Sequence, residues 1–260
     1  MVLDILNAGR YGCDNAAEIY RKSCSLKWSD CCMDQYRQYL DVQRITADNE
    51  ACSEGKMMKD KARKYAKMFS KAMKKLGRSD YKRLEHVFYQ RFKAHLNSEM
   101  YQKYRKSYPS IGTDKVYFGI TFAQIMLKLG YSTDEAIEAW GTYIMADKLR
   151  MVEGIIRLAD FFGKGYRLCG NWLDKDKKTR DQDGSVLYES YHYNDRELEY
   201  KIHTCAYVKL FEHYHIRKFC KAFCNNDLCM CVLHRSAKFI RYSDKVDGDY
   251  CHDKLINLSH

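Results

Sequence analysis

The segment SVLYESYHYNDRELEYKIHTC, residues 185–205, decides the fold class of this chain. Within it, β-branched and aromatic residues alternate with polar ones, which is the pattern of half-buried strands. The alternation predicts one strand over residues 185–195 and a second over residues 198–205. Because the residues before this segment carry a helical pattern instead, the chain changes its secondary structure here.

Before this segment the sequence predicts helices, because apolar residues recur at helical spacing. The predicted helices cover residues 15–44, 56–76, 79–104, 115–130 and 135–162. Gly77 is the expected C-cap of the second helix, and Ser132 with Glu135 forms a capping box in front of the last. The polar run DKDKKTRDQDG, residues 174–184, is predicted to be a loop.

After these strands, the sequence predicts a helix over residues 206–224. It then predicts a strand over 236–246, a turn at 247–248 and a final strand over 249–257. This order of elements predicts an α+β fold, a helical N-terminal portion followed by a small antiparallel sheet packed on helices. We divide the chain into a helical N-terminal extension (1–53), a helical region (54–165) and an α+β cysteine-rich region (166–260). The last two are expected to form one compact unit.

The net charge of +11 at pH 7 raises the question of nucleic-acid binding. Lysines and arginines crowd residues 56–106, where apolar residues fall at helical spacing. This pattern is typical of the solvated face of amphipathic helices, so we do not expect nucleic acid to be the partner. A binding surface for nucleic acid or acidic lipid is the alternative interpretation.

The chain has twelve cysteines, yet its first residues, MVLDILNAGRYGCDN, lack the basic and apolar regions of a secretory signal. The sequence also contains no apolar run of about 18 residues, the length that a transmembrane helix needs. We therefore expect a cytoplasmic protein with reduced thiols and no membrane partner, and leave a homo-oligomer open. Most of the cysteines are then small buried apolar side chains.

Four cysteines fall within the segment CKAFCNNDLCMC, residues 220–231. In a continuous helix, one face would carry Cys220, Cys224, Asp227 and Cys231. If the helix ends at Asn225-Asn226, the stripe stops at Cys224. The C-x3-C-x4-C-x-C spacing departs from the C-x2-C pairs of common zinc and iron–sulfur sites, so no local metal site is predicted.

A site assembled from distant parts of the sequence is the alternative to a local one. It would join Cys205, Cys224 and Cys251 to Asp227 or to a histidine such as His252. A buried aspartate must be paired or functional, and a histidine beside a cysteine can hold a thiolate at neutral pH. The other cysteines of the segment are interpreted as packing residues.

The C-terminal part carries an ordered set of motifs, namely KIHTCAYVKLF with Cys205, then Cys224-x-x-Asp227, KFIRYS with Arg241, and GDYC with Gly248 and Cys251. The segment GYSTDEA, residues 130–136, precedes them. In this order the motifs resemble the L-2-amino-thiazoline-4-carboxylic acid hydrolase family, a group of bacterial proteins. The resemblance covers residues 115–260.

Two departures from the family pattern change the candidate residues. Where the family often has Cys-Pro, this chain has Cys205-Ala206, and where the family has Cys-Asp-Phe, it has Cys251-His252-Asp253. The aspartate is displaced by one position, which turns it to the opposite face of a strand. His252 therefore becomes a candidate in its place.

The resemblance implies hydrolysis of a cyclic amidine, in which 2-aminothiazoline-4-carboxylate opens to N-carbamoyl-cysteine. This chemistry needs a nucleophile at the electrophilic carbon, a proton donor for the ring nitrogen and a cation for the carboxylate. The catalytic residues it implies are Cys251, Cys205, Asp227 and His252. The substrate-binding residues it implies are Arg241, Cys224 and Gly248. No cofactor is implied, and a metal ion is left open.

Other interpretations of the same residues stay open. The pocket could catalyse a related cyclisation, or its Cys/Asp/His group could hold a metal or ligand in a non-catalytic sensor. A third hypothesis is a module that binds nucleic acid or a partner through the basic helices. In the purely structural interpretation, Cys205 and Cys224 pack the helix on the sheet, Arg241 pairs with Asp227, and Gly248 serves only the turn.

Overall fold

The structure, a computed structural model, describes residues 56–225, 232–233 and 235–259. The chain divides into two compact units, Met1–Met57 and Met58–His260, and the fold below is that of the second. Three predictions lie outside the described residues: the extension over 1–53, the helix over 15–44 and the candidate residue Asp227.

Helices form the first part of this unit. In the described residues they are α1 (56–75), α2 (Tyr81–Leu96), α3 (Glu99–Ser107), α4 (Thr113–Lys128), α5 (Thr133–Ala139), α6 (Ala146–Phe161) and α7 (Gly165–Asp183). A π-helical turn, Trp140–Met145, connects α5 to α6. Later in the chain follow α8 (Ala206–His213), a 3₁₀ turn (Arg217–Cys220) and the short helix α9 (Lys221–Cys224).

The sheet of the described residues contains the antiparallel strands β1 (Val186–Tyr193), β2 (Glu197–Cys205), β3 (Ala237–Ser243) and β4 (Cys251–Asn257). The spatial order is β1-β2-β4-β3, so the last strand lies between β2 and β3. Helices followed by a small antiparallel sheet confirm the predicted α+β class.

An aromatic core holds the first helices together. Phe69 of α1 stacks on Phe88 of α2 at 4.7 Å between ring centroids, and Phe122 of α4 meets Phe69 edge-on at 5.7 Å. All three rings are fully buried, and burial of each stabilises the fold by about 1.5–3 kcal/mol. Phe219, in the 3₁₀ turn that leads into the cysteine-rich segment, joins the core 6.1 Å from Phe122. The helical part therefore anchors this segment.

One face of the sheet packs on α6 and α7. Leu198 of β2 and Leu255 of β4 cluster there with Ile156 of α6 and Tyr166 of α7. The neighbouring strand residues point to the other face, because side chains alternate along a strand. The alternation that predicted strands in the sequence thus also separates a packed face from a polar one.

The predicted loop over residues 174–184 is wrong, because α7 continues to Asp183. Its polar side chains form ion pairs one helical turn apart, including Lys178 with Asp174 at 2.7 Å and Arg180 with Asp176 at 2.6 Å. Such i,i+4 pairs support a helix that has few apolar residues. The helix ends at Gly184, whose φ of +65° is the left-handed conformation that glycine adopts at low cost.

The helix predicted over 206–224 is divided into α8, the 3₁₀ turn and α9. Two further predicted helices are interrupted. The helix predicted over 79–104 breaks before Ser98, whose hydroxyl accepts a hydrogen bond from the Tyr101 backbone N–H at 3.2 Å and so caps α3. The helix predicted over 135–162 contains the π-helical turn Trp140–Met145. Both predictions were too long because the apolar residues keep their helical spacing across these interruptions.

The predicted helix caps are confirmed. Ser132 accepts a hydrogen bond from the backbone of Glu135 at 3.2 Å, and the Glu135 carboxylate accepts one from the backbone of Ser132 at 2.7 Å. Gly77, the second residue after α1, has a φ of +80°. Among the described helices, none combines the length and apolar composition needed to cross a membrane.

Candidate functional site

Four cysteine thiols from separate segments lie together in the C-terminal part. Cys205 ends β2, Cys220 ends the 3₁₀ turn, Cys224 ends α9 and Cys251 begins β4. After burial, the nearby thiols contribute to a raised pKa of Cys205 and of Cys251. We call these four residues the thiol cluster. The structure thus brings together the three cysteines that the sequence analysis joined and adds Cys220.

Cys205 lies at the N-terminus of α8. Its thiol is beside the backbone N–H groups of Tyr207 and Val208, which favour the thiolate, although neither contact has the alignment of a full cap hydrogen bond. Burial opposes them and is the larger effect, so the pKa of Cys205 is raised. Cys205 is therefore a neutral thiol at neutral pH, in a position where protein groups would stabilise a negative charge on sulfur.

Two other thiols of the cluster, Cys220 and Cys251, are also protonated at neutral pH. Burial raises the pKa of Cys251 to about 12, against the effect of the Lys245 backbone N–H, which donates to its sulfur at 3.2 Å. A hydrogen bond with the Cys224 thiol, together with burial, raises the pKa of Cys220. Cys220 is fully buried, whereas Cys205, Cys224 and Cys251 are partly exposed.

Tyr104 of α3 places its hydroxyl at the thiol cluster. Its side chain is 6% exposed, and the hydroxyl has no hydrogen-bond partner among the residues that the structure describes. Burial first, and then nearby groups including Cys205, Tyr207 and Cys220, raise its pKa far above the usual range. The hydroxyl is thus a permanent donor, and a buried donor left without an acceptor costs about 1–3 kcal/mol.

Arg180 of α7 supplies a cation near Cys205. Its guanidinium lies over the Tyr207 ring at 5.3 Å from the centroid, and its Nε is 2.6 Å from the Asp176 carboxylate. Burial alone would lower the pKa of Arg180, but Tyr207 and Asp176 outweigh it, so that the pKa is raised. The same cation lowers the pKa of Cys205, against the larger effect of burial.

Sequence reasoning missed both Tyr104 and Arg180. Arg180 fell in the segment predicted to be a loop, although the spacing of Asp176 and Arg180 was a signal for a helix. Tyr104 gave no local signal, because it is one of 22 tyrosines and its place beside Cys205 depends on tertiary packing.

Arg241, predicted to hold a substrate carboxylate, forms an internal ion pair. Its Nε and Nη2 donate to the two oxygens of Asp253 at 2.8 and 3.1 Å, and the Tyr200 hydroxyl donates to Asp253 at 2.8 Å. Asp253 is 2% exposed. The three residues come from neighbouring strands, so the bidentate pair ties β3, β4 and β2 together.

His252 lies on the opposite face of β4 from Cys251 and Asp253, because successive strand residues alternate. Its Nε2 is 2.7 Å from Glu199 Oε1, and its ring packs against Tyr242 at 4.5 Å between centroids. The structure therefore does not bring His252 to the thiols. Asp253, which the sequence analysis set aside, shares the face of Cys251.

Gly248 belongs to the turn before β4. Its N–H donates to the Asp244 carbonyl at 2.9 Å, and its own carbonyl accepts from Arg217 at 3.3 Å. These contacts account for Gly248 as a turn residue that holds the start of β4 against the 3₁₀ turn. Asp227 lies outside the described residues, and α9 ends before it, at Cys224.

The arrangement does not match a preformed metal site. Across residues 56–225, 232–233 and 235–259, no group of three or more His, Cys, Asp or Glu side chains is arranged to hold a metal ion. Burial keeps Cys205, Cys220 and Cys251 protonated, and a metal would require its thiol ligands to ionise.

Comparison with known proteins adds no family assignment: the chain matches no protein-family model and has no significant match among curated proteins. The chemical reading therefore depends on the site itself. Cys205 offers a nucleophile, Tyr104 a proton or hydrogen-bond donor, and Arg180 a positive charge. A nucleophile and a donor suit addition to a polarised carbon, and a positive charge suits an anionic ligand.

Proposed function

We propose that this chain is a thiol-dependent hydrolase of a small, amino-acid-derived compound with a cyclic amidine, of the 2-aminothiazoline-4-carboxylate type. The observation that supports this most is the position of Cys205, at the N-terminus of α8 beside the Tyr104 hydroxyl. The buried Tyr104 hydroxyl has no acceptor in the described chain and lies near the proposed nucleophile. It can therefore donate a hydrogen bond to a substrate atom that becomes negative or more basic during the reaction. We place the protein in the cytoplasm, where its thiols would stay reduced.

In the proposed reaction, the neutral Cys205 thiol adds across the C=N bond. Its sulfur bonds to the carbon and its proton goes to the nitrogen, so a raised thiol pKa does not prevent the step. The two amides at the start of α8 and the Arg180 cation stabilise negative charge on sulfur during proton transfer. The ring C–S bond then breaks, and the ring sulfur takes a proton from the amino group to leave as a thiol, so that the carbon stays bonded to the Cys205 sulfur. Water adds to this carbon, the bond to Cys205 breaks with return of a proton to its sulfur, and the oxygen remains as the carbamoyl C=O.

We assign the substrate carboxylate to Arg180 rather than to Arg241. Both arginines are already paired within the chain, Arg241 with Asp253 and Arg180 with Asp176, so their distance from the proposed nucleophile decides between them. Arg180 lies nearer the proposed nucleophile, since its charge acts on Cys205. Cys224 and Cys251 then line the site without a covalent role.

The test is turnover of 2-aminothiazoline-4-carboxylate to N-carbamoyl-cysteine. Cys205→Ser should lower turnover by at least about a hundredfold, since hydroxyl is a far weaker nucleophile than thiol. Cys169→Ser is the matched control, because Cys169 is a buried cysteine of the core between the sheet and α7. Full activity in Cys205→Ser, or equal losses in both variants, would contradict the assignment.

A second candidate function is a sensor that binds a thiophilic metal through the thiol cluster. The observation that favours it is the proximity of Cys205, Cys220, Cys224 and Cys251, although these thiols would have to move to form a metal site, because no three of them are arranged for one. Soft thiolate ligands select ions such as zinc or copper(I). Metal analysis after purification without added metal tests it, and less than about a tenth of an equivalent would argue against a resident structural metal.

A further inference from the structure

Helix α6 exposes a row of large apolar side chains. Met151, Ile155, Leu158 and Phe162, which follows the helix directly, are 61%, 54%, 62% and 64% exposed. We call these four residues the apolar stripe. Isolated exposed apolar residues are ordinary on protein surfaces, but a contiguous row marks a surface that a partner covers.

The spacing of the apolar stripe is that of a helix-pairing seam. Steps of four, three and four residues repeat the a and d positions of a heptad and place all four side chains on one face. The opposite face of α6 is already packed: Ile156 is fully buried, and Asp160 accepts a hydrogen bond from the Ser236 backbone N–H at 2.8 Å. One face of α6 therefore packs against the rest of the chain, and the face with the apolar stripe is exposed to solvent.

The exposed area is large enough for a specific interface. Phe161 is 67% exposed and lies 5.3 Å from Phe162 between ring centroids, which widens the apolar stripe at its C-terminal end. These five side chains expose roughly 600 Å², at the upper end of the largest apolar patch on an ordinary monomer. A standard interface buries about 800 Å² on each partner, so the patch with its rim fits a small protein interface.

The pattern is complementary to itself. A two-fold axis through the centre of the apolar stripe sets Ile155 of one copy against Leu158 of the other, and Met151 against Phe162. Every apolar residue then meets an apolar residue, which an isologous interface requires. No charged residue stands within the stripe, so two copies can approach despite the net charge of the chain.

Gly154 is a second feature of this surface. It is an exposed glycine inside α6, and a Cβ built there would meet nothing within 4 Å. A glycine within a helix costs about 0.5–1 kcal/mol relative to alanine. Contacts within the described chain do not explain this cost, whereas the approach of another backbone beside the apolar stripe would.

We propose that the apolar stripe of α6 is the contact between two copies of this chain. The inference does not depend on the proposed hydrolase activity, because the stripe and the thiol cluster share no residue. The dimer forms by burial of apolar surface, so salt leaves it intact or strengthens it by screening the repulsion between two basic chains.

The test is the mass of the full chain by sedimentation over a concentration series, with and without about 0.5 M salt. We expect a concentration-dependent dimer that persists in salt. The double variant Ile155→Asp/Leu158→Asp should weaken dimerisation by at least about a hundredfold, because it buries two charges per copy. Both positions are more than half exposed, so the variant should fold, as circular dichroism would verify.

Val87→Asp is the matched control, since Val87 is a 41% exposed apolar residue on α2. It should dimerise like the unaltered chain. A monomer at every concentration up to about 0.1 mM would overturn the proposal, as would a dimer that survives the double variant. Binding of a monomeric chain to phosphatidylserine vesicles, lost in the double variant, would overturn it in favour of a lipid surface.

Discussion

At the scale of single residues, the thiol cluster combines groups from distant elements whose protonation states are set by burial. Burial keeps Cys205 and Cys251 neutral and keeps the Tyr104 hydroxyl protonated. Arg180 is charged, because Tyr207 and Asp176 compensate for its burial. These two neutral thiols, the phenol donor and the cation together favour a polar ligand that has a hydrogen-bond acceptor atom.

Replacing Tyr104 by phenylalanine should separate its functional role from its structural one. Since the hydroxyl is buried and lacks a partner within the described chain, removing it should leave the free energy of unfolding unchanged or raise it by about 1 kcal/mol. Turnover should nevertheless fall at least about tenfold, because the substrate atom that develops negative charge loses a hydrogen-bond donor. Urea unfolding and steady-state turnover on the same preparation measure the two effects.

Tyr117→Phe is the control for that prediction. The Tyr117 hydroxyl is also buried, but its ring lies 5.2 Å from Tyr101 and 5.9 Å from Tyr214, in the helical core. Its removal should have the same small effect on stability and none on turnover. Equal turnover in the two variants would show that Tyr104 has no special role.

The buried thiols should make the protein less stable at alkaline pH. A pKa raised by folding means that, above the ordinary cysteine pKa of about 8.5, the unfolded chain loses protons that the folded chain keeps. For Cys251 this contribution is present below that pH and is lost as the pH rises towards its folded pKa of about 12. Each such thiol lowers the free energy of unfolding by up to about 1.4 kcal/mol per pH unit.

Between about pH 8.5 and pH 11, the free energy of unfolding of Cys251→Ala should therefore fall less steeply with pH than that of the unaltered chain, by up to about 1.4 kcal/mol per pH unit. This holds even if the variant is less stable at neutral pH. Urea unfolding at several pH values gives the slope for the variant and for the unaltered chain. Identical slopes would mean that Cys251 titrates alike in the folded and unfolded states.

At the scale of elements, local signals predicted helix ends well and helix continuity less well. Gly77 and the Ser132–Glu135 capping box marked boundaries that the structure confirms, because caps act through neighbouring backbone groups. Helix α7 was missed because its composition is polar, although its ion-pair spacing is helical. Caps and i,i+4 charges are local, and a sequence can therefore show them.

Gly119→Ala should disturb the contact between α4 and the cysteine-rich segment. A Cβ at Gly119 would lie 2.5 Å from the Phe223 ring, which stacks on Trp140 at 5.2 Å and precedes Cys224. Overpacking of this kind costs about 1–3 kcal/mol and shifts the displaced side chain. We expect lower stability in urea and, because Cys224 would move with Phe223, lower turnover.

Gly154→Ala provides the comparison within a helix. A Cβ there meets open space within one chain, so alanine should raise the stability of the monomer by up to about 1 kcal/mol through its better helix propensity, measured at protein concentrations below those at which the chain dimerises. A Gly119→Ala chain as stable as the Gly154→Ala chain would contradict the close contact with Phe223.

At the scale of the whole molecule, the sequence predicted the α+β class but not the arrangement of the sheet. Strand pairing joins residues far apart in the chain, such as Ile202 with Cys251, and local patterns carry no information about it. The grouping of Cys205, Cys224 and Cys251 followed from the ordered motifs, whereas the positions of Tyr104 and Arg180 depend on that packing. Net charge, by contrast, is a whole-chain property that the sequence gives directly.

The net charge of +11 should produce only weak, non-specific binding to DNA. Within the basic stretch 56–106 some cations are already paired, such as Lys61 with Asp114 at 2.8 Å and Arg83 with Asp80 at 2.7 Å. Binding to a short duplex, followed by fluorescence anisotropy, should fall steeply with salt and vanish near about 0.2 M, as expected for phosphate contacts alone.

Two charge reversals test whether this binding has a defined surface. Lys71→Glu changes an exposed lysine of α1, and Lys238→Glu changes an exposed lysine of β3. If only net charge matters, both should weaken binding equally, because each lowers the charge by the same amount. A much larger effect of Lys71→Glu, with binding that stays tight near about 0.2 M salt, would instead make the basic helices a nucleic-acid surface.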